Sequence, residues 1–460
     1  MTTTTTREDQ IELSTFDPAF PATDSLSRSP SATAKTAADE VPEDAAYSVT
    51  AIPDGGYGWV IVASAFIAAF CCNGIINCWG VLQAALLGSS LSYVPPSTLA
   101  YVGSLTLGLI PLGGLVSVRM MRMIGTQASA LIGMFLMGMS LIGASFCTSN
   151  LAGLFGTAGL IGGIGNSIVY TITNTIPVQY FSARLGLANG LVKLGGGVGG
   201  CVMAIALEAM YQRVGIAWTF RIQGLITLAL GMPAAWMLKD RVPLRNVPFV
   251  DWTMFRDATF IATFIASAIG VFALWVPPYY LPLFAKSIGL SSGTGAGLVA
   301  AFNACNAIGR FAGGPLCDKF GPLNTFVLTM VLNAVSMLAI WPASSTLGPL
   351  LVFAMINGVA NGSYFTTQPM VVAGIFGPGR AAVAMGMSIT GWSAGYLMGA
   401  PIAGYLLQAA GGSRESGAAR TQNVDVYRPA IFYAGGTATL SALFVLAARF
   451  TVAKKLRKRV

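Results

Sequence analysis

Arg310 and Lys193 stand inside long apolar stretches, where an ionised side chain needs a reason to be. Arg310 is about five residues from the end of its stretch and Lys193 about seven residues into its own, so at ~1.5 Å per residue both sit roughly 8–10 Å from the same face. A charge at the centre of a bilayer costs at least about 2.5 kcal/mol, so such groups either line a cavity with a partner or snorkel to the headgroups. Arginine can grip a carboxylate with two parallel hydrogen bonds, whereas lysine offers a point charge. Asn303 and Asn306 precede Arg310 by seven and four residues, which places all three on one helix face. Asn73 and Asn77, Asn166, Tyr170 and Asn174, and Asn361, Tyr364 and Gln368 add polar groups to three further apolar stretches. Buried amides between helices serve as structural hydrogen bonds or as ligand contacts, and spacing alone does not separate the two.

These residues need long helices to position them. The chain is 54% hydrophobic and 9% charged, against roughly 25% charge in soluble domains. Its apolar runs of about 20 residues match a hydrocarbon core of about 30 Å. Windows of this kind predict spans near 57–83, 98–118, 127–147, 150–176, 187–209 and 217–238, then 258–284, 292–314, 323–342, 347–372, 381–409 and 429–450. The expectation is an all-α membrane protein with 12 transmembrane helices in two six-helix halves, 53–238 and 258–450. A charged segment, 239–257, joins them, and a basic tail, 451–460, follows.

Residues 1–52 are rich in Thr, Ser, Ala and Pro and hold nine of the 17 acids, which reads as a disordered cytosolic tail without a cleavable signal peptide. The body then carries 23 Lys and Arg against 8 Asp and Glu. Assigned by loop, 16 basic residues fall on the side of the termini and five on the other, so both ends are expected in the cytosol. The surplus therefore reads as membrane topology, with lipid as the partner and no nucleic acid. The Lys454–Arg459 cluster would rest against anionic headgroups. A multi-pass protein of the plasma membrane is the expected setting.

The halves echo each other. Arg184, Ala188, Gly190, Gly195 and Gly199 recur 196 residues later as Arg380, Ala384, Gly386, Gly391 and Gly395. Gly163, Asn166 and Thr171 recur 195 residues later as Gly358, Asn361 and Thr366, and Gly114 and Arg119 return as Gly314 and Lys319. Parallel repeats of this sort build folds with a site between the halves near mid-membrane. Lys193 has no cationic mate, since Ile389 stands at its repeat position.

Enzymatic and ATP-driven readings lack residues. The sequence has no histidine, no metal-ligand cluster and no phosphate-cradling glycine loop ending in Lys-Ser or Lys-Thr, so no catalytic centre, metal or cofactor is expected. The seven cysteines all lie in or beside apolar runs and read as small hydrophobes.

Three motifs carry a family resemblance. Pro53-Asp54-Gly55-Gly56-Tyr57-Gly58-Trp59 enters the first apolar run; Tyr180-Phe181-Ser182-Ala183-Arg184 precedes a glycine-rich stretch to Gly200; Pro278-Tyr279-Tyr280 lies in the seventh. Over about residues 52–450 the chain resembles the monocarboxylate transporter-like family, its fungal members in particular, a branch of the major facilitator superfamily. That resemblance implies the major facilitator fold. It also implies that Gly314-Pro315-Leu316-Cys317-Asp318-Lys319-Phe320-Gly321 is the superfamily's charge-relay loop, degenerate after the second span, where Val118 replaces the acid. Gating or signature roles then fall on Asp54, Gly55, Gly56, Trp59, Arg184, Asp318 and Lys319, and substrate contacts on Arg310, Lys193, Asn306, Asn303, Asn77, Asn73 and Tyr364. The family's proton-coupled carriers use a lysine in helix 1 and an acid before the helix-8 arginine; Asn77 and Asn306 stand there, and neither titrates. The expected function is secondary active transport of a small organic anion, mono- or dicarboxylate-like, by alternating access, a symporter in the family pattern. Two alternatives stay open: an exporter of a neutral or amphipathic metabolite in which Arg310 only gates, and a transporter-shaped receptor. The sequence leaves oligomeric state and substrate identity unassigned.

Overall fold

The computed structural model describes residues 55–181, 184–241, 252–412 and 424–452. Asp54, the tail 1–52, residues 242–251 of the joining segment, Ser182, Ala183, and 453–460 of the basic tail lie outside the described residues. The described chain is helical throughout. Its helices are α1 (Tyr57–Asn77), α2 (Trp79–Gly88), α3 (Pro96–Ile124), α4 (Thr126–Ala144), α5 (Leu151–Leu154), α6 (Gly162–Thr175), α7 (Leu185–Met237), α8 (Ala258–Leu274), α9 (Val276–Ser287), α10 (Ser292–Phe320), α11 (Pro322–Val335), α12 (Leu347–Leu407) and α13 (Arg428–Val452).

Two of these are too long for a bilayer and fold back. In α7 the reversal is Gly215, whose φ of 77° suits glycine alone, and Gln223 reaches Met203 Sδ at 3.6 Å across it. In α12 the rings of Tyr364 and Trp392 lie 5.8 Å apart, although a straight helix would separate them by about 42 Å. Three other passes are interrupted: α1 and α2 meet at Cys78, α5 and α6 are joined by a π-helical segment Phe155–Ile161, and α8 and α9 meet at Trp275. Counted in this way, the described residues make twelve passes, as the hydropathy windows predict. Among the described residues eight helical stretches are long and apolar enough to cross a membrane by length and composition alone, α7 among them at double length.

The internal repeat is visible as repeated packing. A Cβ on Gly195 or Gly199 would lie 2.4 Å from the carbonyl oxygens of Phe66 or Phe70 in α1, so those backbones touch. Gly391, Gly395 and Gly399 do the same service against Phe264, Val271 and Phe272 of α8. Gly163 packs on Thr106 and Leu109 of α3, and its mate Gly358 packs on Phe302 and Cys305 of α10. Helices without hydrophobic drive between them associate through such close approach.

One sequence expectation is corrected here. The segment Gly314–Phe320 is not a loop but the end of α10; the chain turns only at Gly321, with φ 91°. Pro315 is tolerated inside the helix, as proline is where neighbouring helices pack around it. All seven cysteines are free thiols.

Candidate functional site

The halves meet along two seams. In the first, α3 packs on the second limb of α12: Ser97 Oγ donates to Gln408 Oε1 at 3.2 Å, Tyr101 lies edge-on to Tyr405 at 6.1 Å, and Gly108 faces Leu397. In the second, α7 packs on α10: Gln212 Nε2 donates to Ser292 Oγ at 3.1 Å, Gly200 abuts Asn303, and Gly197 abuts Ala307. Between the seams Gly80 lies so near Pro278 and Tyr279 that a Cβ would fall 2.1 Å from the Pro278 oxygen. These contacts run from mid-helix, at Gly197 and Ala307, to the face that bears the Gly215 turn, called here the far face.

Toward the opposite face, where α1 enters and α13 ends, the same stripes lose their partners. Leu112 and Leu115 continue the Gly108 stripe and are 55% and 50% exposed. Thr390 and Gly386 continue the Leu397 stripe and are exposed. Gly190 and Gly314 continue the α7 and α10 stripes, and nothing lies within 4 Å of a Cβ built on either, or on Gly386. Four helices therefore part at one level, leaving a vestibule sealed on the far side and open on the entry side.

Lys193 and Arg310 stand where the seam ends and the vestibule begins. Lys193, one turn below Gly197, donates to Asn174 Oδ1 and lies 5.1 Å from the Tyr170 ring centroid. Asn174 is itself held by its own Nδ2, which donates to the Tyr170 carbonyl at 2.6 Å. Across the seam the Arg310 guanidinium stacks 5.1 Å from the Phe365 centroid, and its Nε donates to Asn306 Oδ1 at 2.8 Å. Neither cation has a carboxylate partner among the described residues. Glu208, the acid inside a pass in those residues, lies near the far face and accepts from Gln212 at 2.8 Å.

Asn303 stands higher in the seam, and Asn73 and Asn77 lie on α1 in the N-terminal half. Asn303 is buried against Gly200 with neither its amide nitrogen nor its oxygen paired, and Asn77 Nδ2 is likewise unpaired. Asn73 lies beside Gly196 in the N-terminal half. Tyr364 is placed elsewhere than the spacing suggests: it is fully buried within the C-terminal half, and its hydroxyl donates to the Ser267 carbonyl at 2.7 Å. Its neighbour Phe365 faces Arg310 instead. The spacing analysis missed a wall of rings continuing from there, Phe365 to Trp392 at 6.0 Å, Trp392 to Tyr396 at 6.0 Å and Tyr396 to Trp275 at 5.8 Å. Trp392 and Tyr396 are one helical turn apart, a cue that was available.

The signature residues form a separate cluster at the entry face. Trp59 is edge-on to Phe181 at 5.0 Å, a Cβ on Gly58 would lie 2.9 Å from the same ring, and Tyr57 Oη donates to the Met237 carbonyl at 2.8 Å. Gly56 starts α1 with φ 58°, and Gly55 accepts from the Gly58 amide at 3.1 Å. The first two motifs thus pack on one another and clamp the first, fourth and sixth passes. Arg184 is exposed at the head of α7; Asp318 and Lys319 are exposed at the end of α10, with Lys319 5.4 Å from the Phe320 ring centroid.

Chemically, the vestibule floor offers two cations, amide groups and flat aromatic faces. It suits an amphipathic organic molecule with an acceptor-rich or anionic end.

Comparison with known proteins agrees with this architecture. The profile described as Major Facilitator Superfamily matches residues 59–304 and 263–459. The chain is 30% identical to "MFS-type transporter 1" of an Ophiocordyceps species, over 76% of this chain and 79% of that one. It is 29% identical to the aspyridones efflux protein apdF of Emericella nidulans, over 85% and 79%, and 25% identical to the riboflavin transporter MCH5 of Saccharomyces cerevisiae, over 74% and 70%. Among solved structures, the nucleoside transporter NupG matches with a TM-score of 0.67 at 14% identity, covering 84% of this chain and 99% of that one. A bacterial homologue of the lysosomal transporter Spinster, described as inward-facing, matches with a TM-score of 0.66 at 16% identity, over 87% and 99%.

Proposed function

Because the chain belongs to the Major Facilitator Superfamily, we propose that it is a secondary transporter that exports a small amphipathic organic metabolite by alternating access. The observation that carries this reading is the vestibule: open on the entry face, sealed on the far face, and floored by Lys193 and Arg310 from opposite halves. With the entry face in the cytosol of a plasma-membrane protein, as the loop charges favour, that geometry is the loading state of an exporter. Substrate would enter from the cytosol, lie against Tyr170 and Phe365, and bring the halves together below it. The far seam would then part. Similarity to a protein named for aspyridone efflux supports export over uptake.

A second reading, transport of a small carboxylate in the manner of the monocarboxylate branch, is favoured by one observation. Neither Lys193 nor Arg310 has an anionic partner among the described residues, so both are free to bind a carboxylate. Flux into proteoliposomes distinguishes the two readings, using one aromatic scaffold in neutral and carboxylate forms. Export of an amphipathic metabolite requires the neutral form to move; the carboxylate reading requires strong preference for the anion. Binding without flux of either form would contradict both and leave a receptor.

A further inference from the structure

The break in the seventh pass leaves backbone groups to account for. In a continuous helix the carbonyls of Ala273 and Leu274 would accept from residues 277 and 278, but Pro277 and Pro278 have no N–H. The Trp275 amide donates to the Ala273 oxygen, and the Leu274 oxygen accepts from Asn361 Nδ2 at 2.7 Å. Asn361 Oδ1 accepts from Asn306 Nδ2 at 2.9 Å, and Asn306 Oδ1 accepts from Arg310 Nε at 2.8 Å. Three hydrogen bonds therefore run in one sense, from the guanidinium through two buried amides to the carbonyl stranded at the break.

The geometry points to Asn361 as a positioning residue that couples Arg310 to the far seal, acting through Asn306 and the Pro277–Pro278 hinge. The hinge belongs to that seal, because Pro278 and Tyr279 are the residues against which Gly80 of α2 is packed without room for a methyl group. At the other end of the relay, Arg310 holds its guanidinium over the Phe365 ring and keeps its two terminal nitrogens without a protein partner among the described residues. A ligand drawn to those groups must compete with, or reorient, the Nε bond to Asn306. That change is passed to the carbonyl at the hinge, since charge-assisted donors polarise the amide bonds beyond them. The N-terminal half has no equivalent. Asn166, the repeat mate of Asn361, donates to the Gly162 carbonyl in its own helix at 2.9 Å, and the break at Cys78 contains no proline. The coupling is thus a departure from the pseudo-symmetry and not a consequence of the fold. The part of this inference that concerns ligand occupancy rests on the transport reading above; the relay itself does not.

Hydrogen exchange on the full-length protein in lipid nanodiscs, without substrate, tests the relay. The Asn306 side chain hydrogen-bonds to Asn361 and Arg310 and not to the hinge backbone, yet Asn306→Val should speed amide exchange across Val276–Ser287 by about tenfold. Asn306→Asp keeps the acceptor for Arg310 Nε, removes the donor to Asn361, and should act alike. Pro278→Ala supplies an N–H to the Leu274 carbonyl and so takes over the role of Asn361. In that background the Asn306 variants should leave exchange of Val276–Ser287 unchanged, a non-additivity that independent packing defects do not give. Unchanged exchange in both Asn306 variants, or an equal rise with and without Pro278→Ala, overturns the inference. Loss of flux in every assay with this coupling intact would count against the transport reading alone.

Discussion

Arg310 commits one of its donors to the protein and keeps the planar fork of the guanidinium for something else. Lysine retains the charge but cannot make the Nε bond to Asn306 or stack flat on Phe365. Arg310→Lys should therefore cut kcat/KM for flux by at least about tenfold, roughly 1.4 kcal/mol of lost transition-state stabilisation, in protein that reaches the membrane normally. Lys193→Ile installs the residue at the repeat position and should weaken affinity for anionic substrates while sparing neutral ones. Wild-type kinetics in both variants would show that the cations only snorkel. Asn77 and Asn306 do not titrate, so proton dependence should be weaker than the family pattern; steep proton-driven accumulation that survives Glu208→Gln, for a substrate that does not titrate in the range tested, would contradict this. Both cations were legible in the sequence because a charge in an apolar run is conspicuous. The packing of Tyr364 inside the C-terminal half was not legible, because periodicity gives a residue's angle on its own helix, and not which neighbour that angle meets. Tyr364→Phe should leave flux intact and lower stability by about 1 kcal/mol, the net worth of its bond to Ser267, read as a drop in thermal midpoint.

At the scale of elements, glycine placement sets where helices can meet. Gly197 faces Ala307 with a Cβ-to-Cβ distance of 2.5 Å if methylated, whereas Gly190, two turns along the same stripe, faces open space. Gly197→Ala should pry open the far seam and close the vestibule; Gly190→Leu should wedge the vestibule open. The reporter is the rate at which a maleimide reagent modifies Thr390→Cys, an exposed vestibule position, with the native thiols as background. Severalfold slower labelling in the first variant and faster labelling in the second are the expected results; the opposite order would place the seams wrongly. The glycine runs were legible from sequence as close-packing stretches. Their division of labour was not: Gly195 and Gly199 serve contacts within one half, while Gly197 and Gly200, one or two positions away, serve the seam between halves. The relay-loop motif was also read as a loop, because its glycines and proline resemble a turn, yet helical hydrogen bonding continues through it to Gly321.

For the whole molecule, twelve passes and the two-half repeat followed from hydropathy and from offsets near 196 residues. The vestibule did not, because which end of a seam stands open is a property of conformation that one sequence serves in both states. The loop charges favour an orientation with both ends in the cytosol; in that orientation a tag on the C-terminus should resist impermeant reagents on intact cells and react after permeabilisation, and labelling of intact cells would contradict it. The most direct measurement is an untargeted metabolite comparison of cells and medium, for cells with the wild-type protein, with Arg310→Gln, and without the protein. Export through the vestibule predicts at least one organic metabolite that appears in the medium with the wild type and is retained in the cells in the other two. Identical distributions in all three, with the protein present at the cell surface, would contradict it.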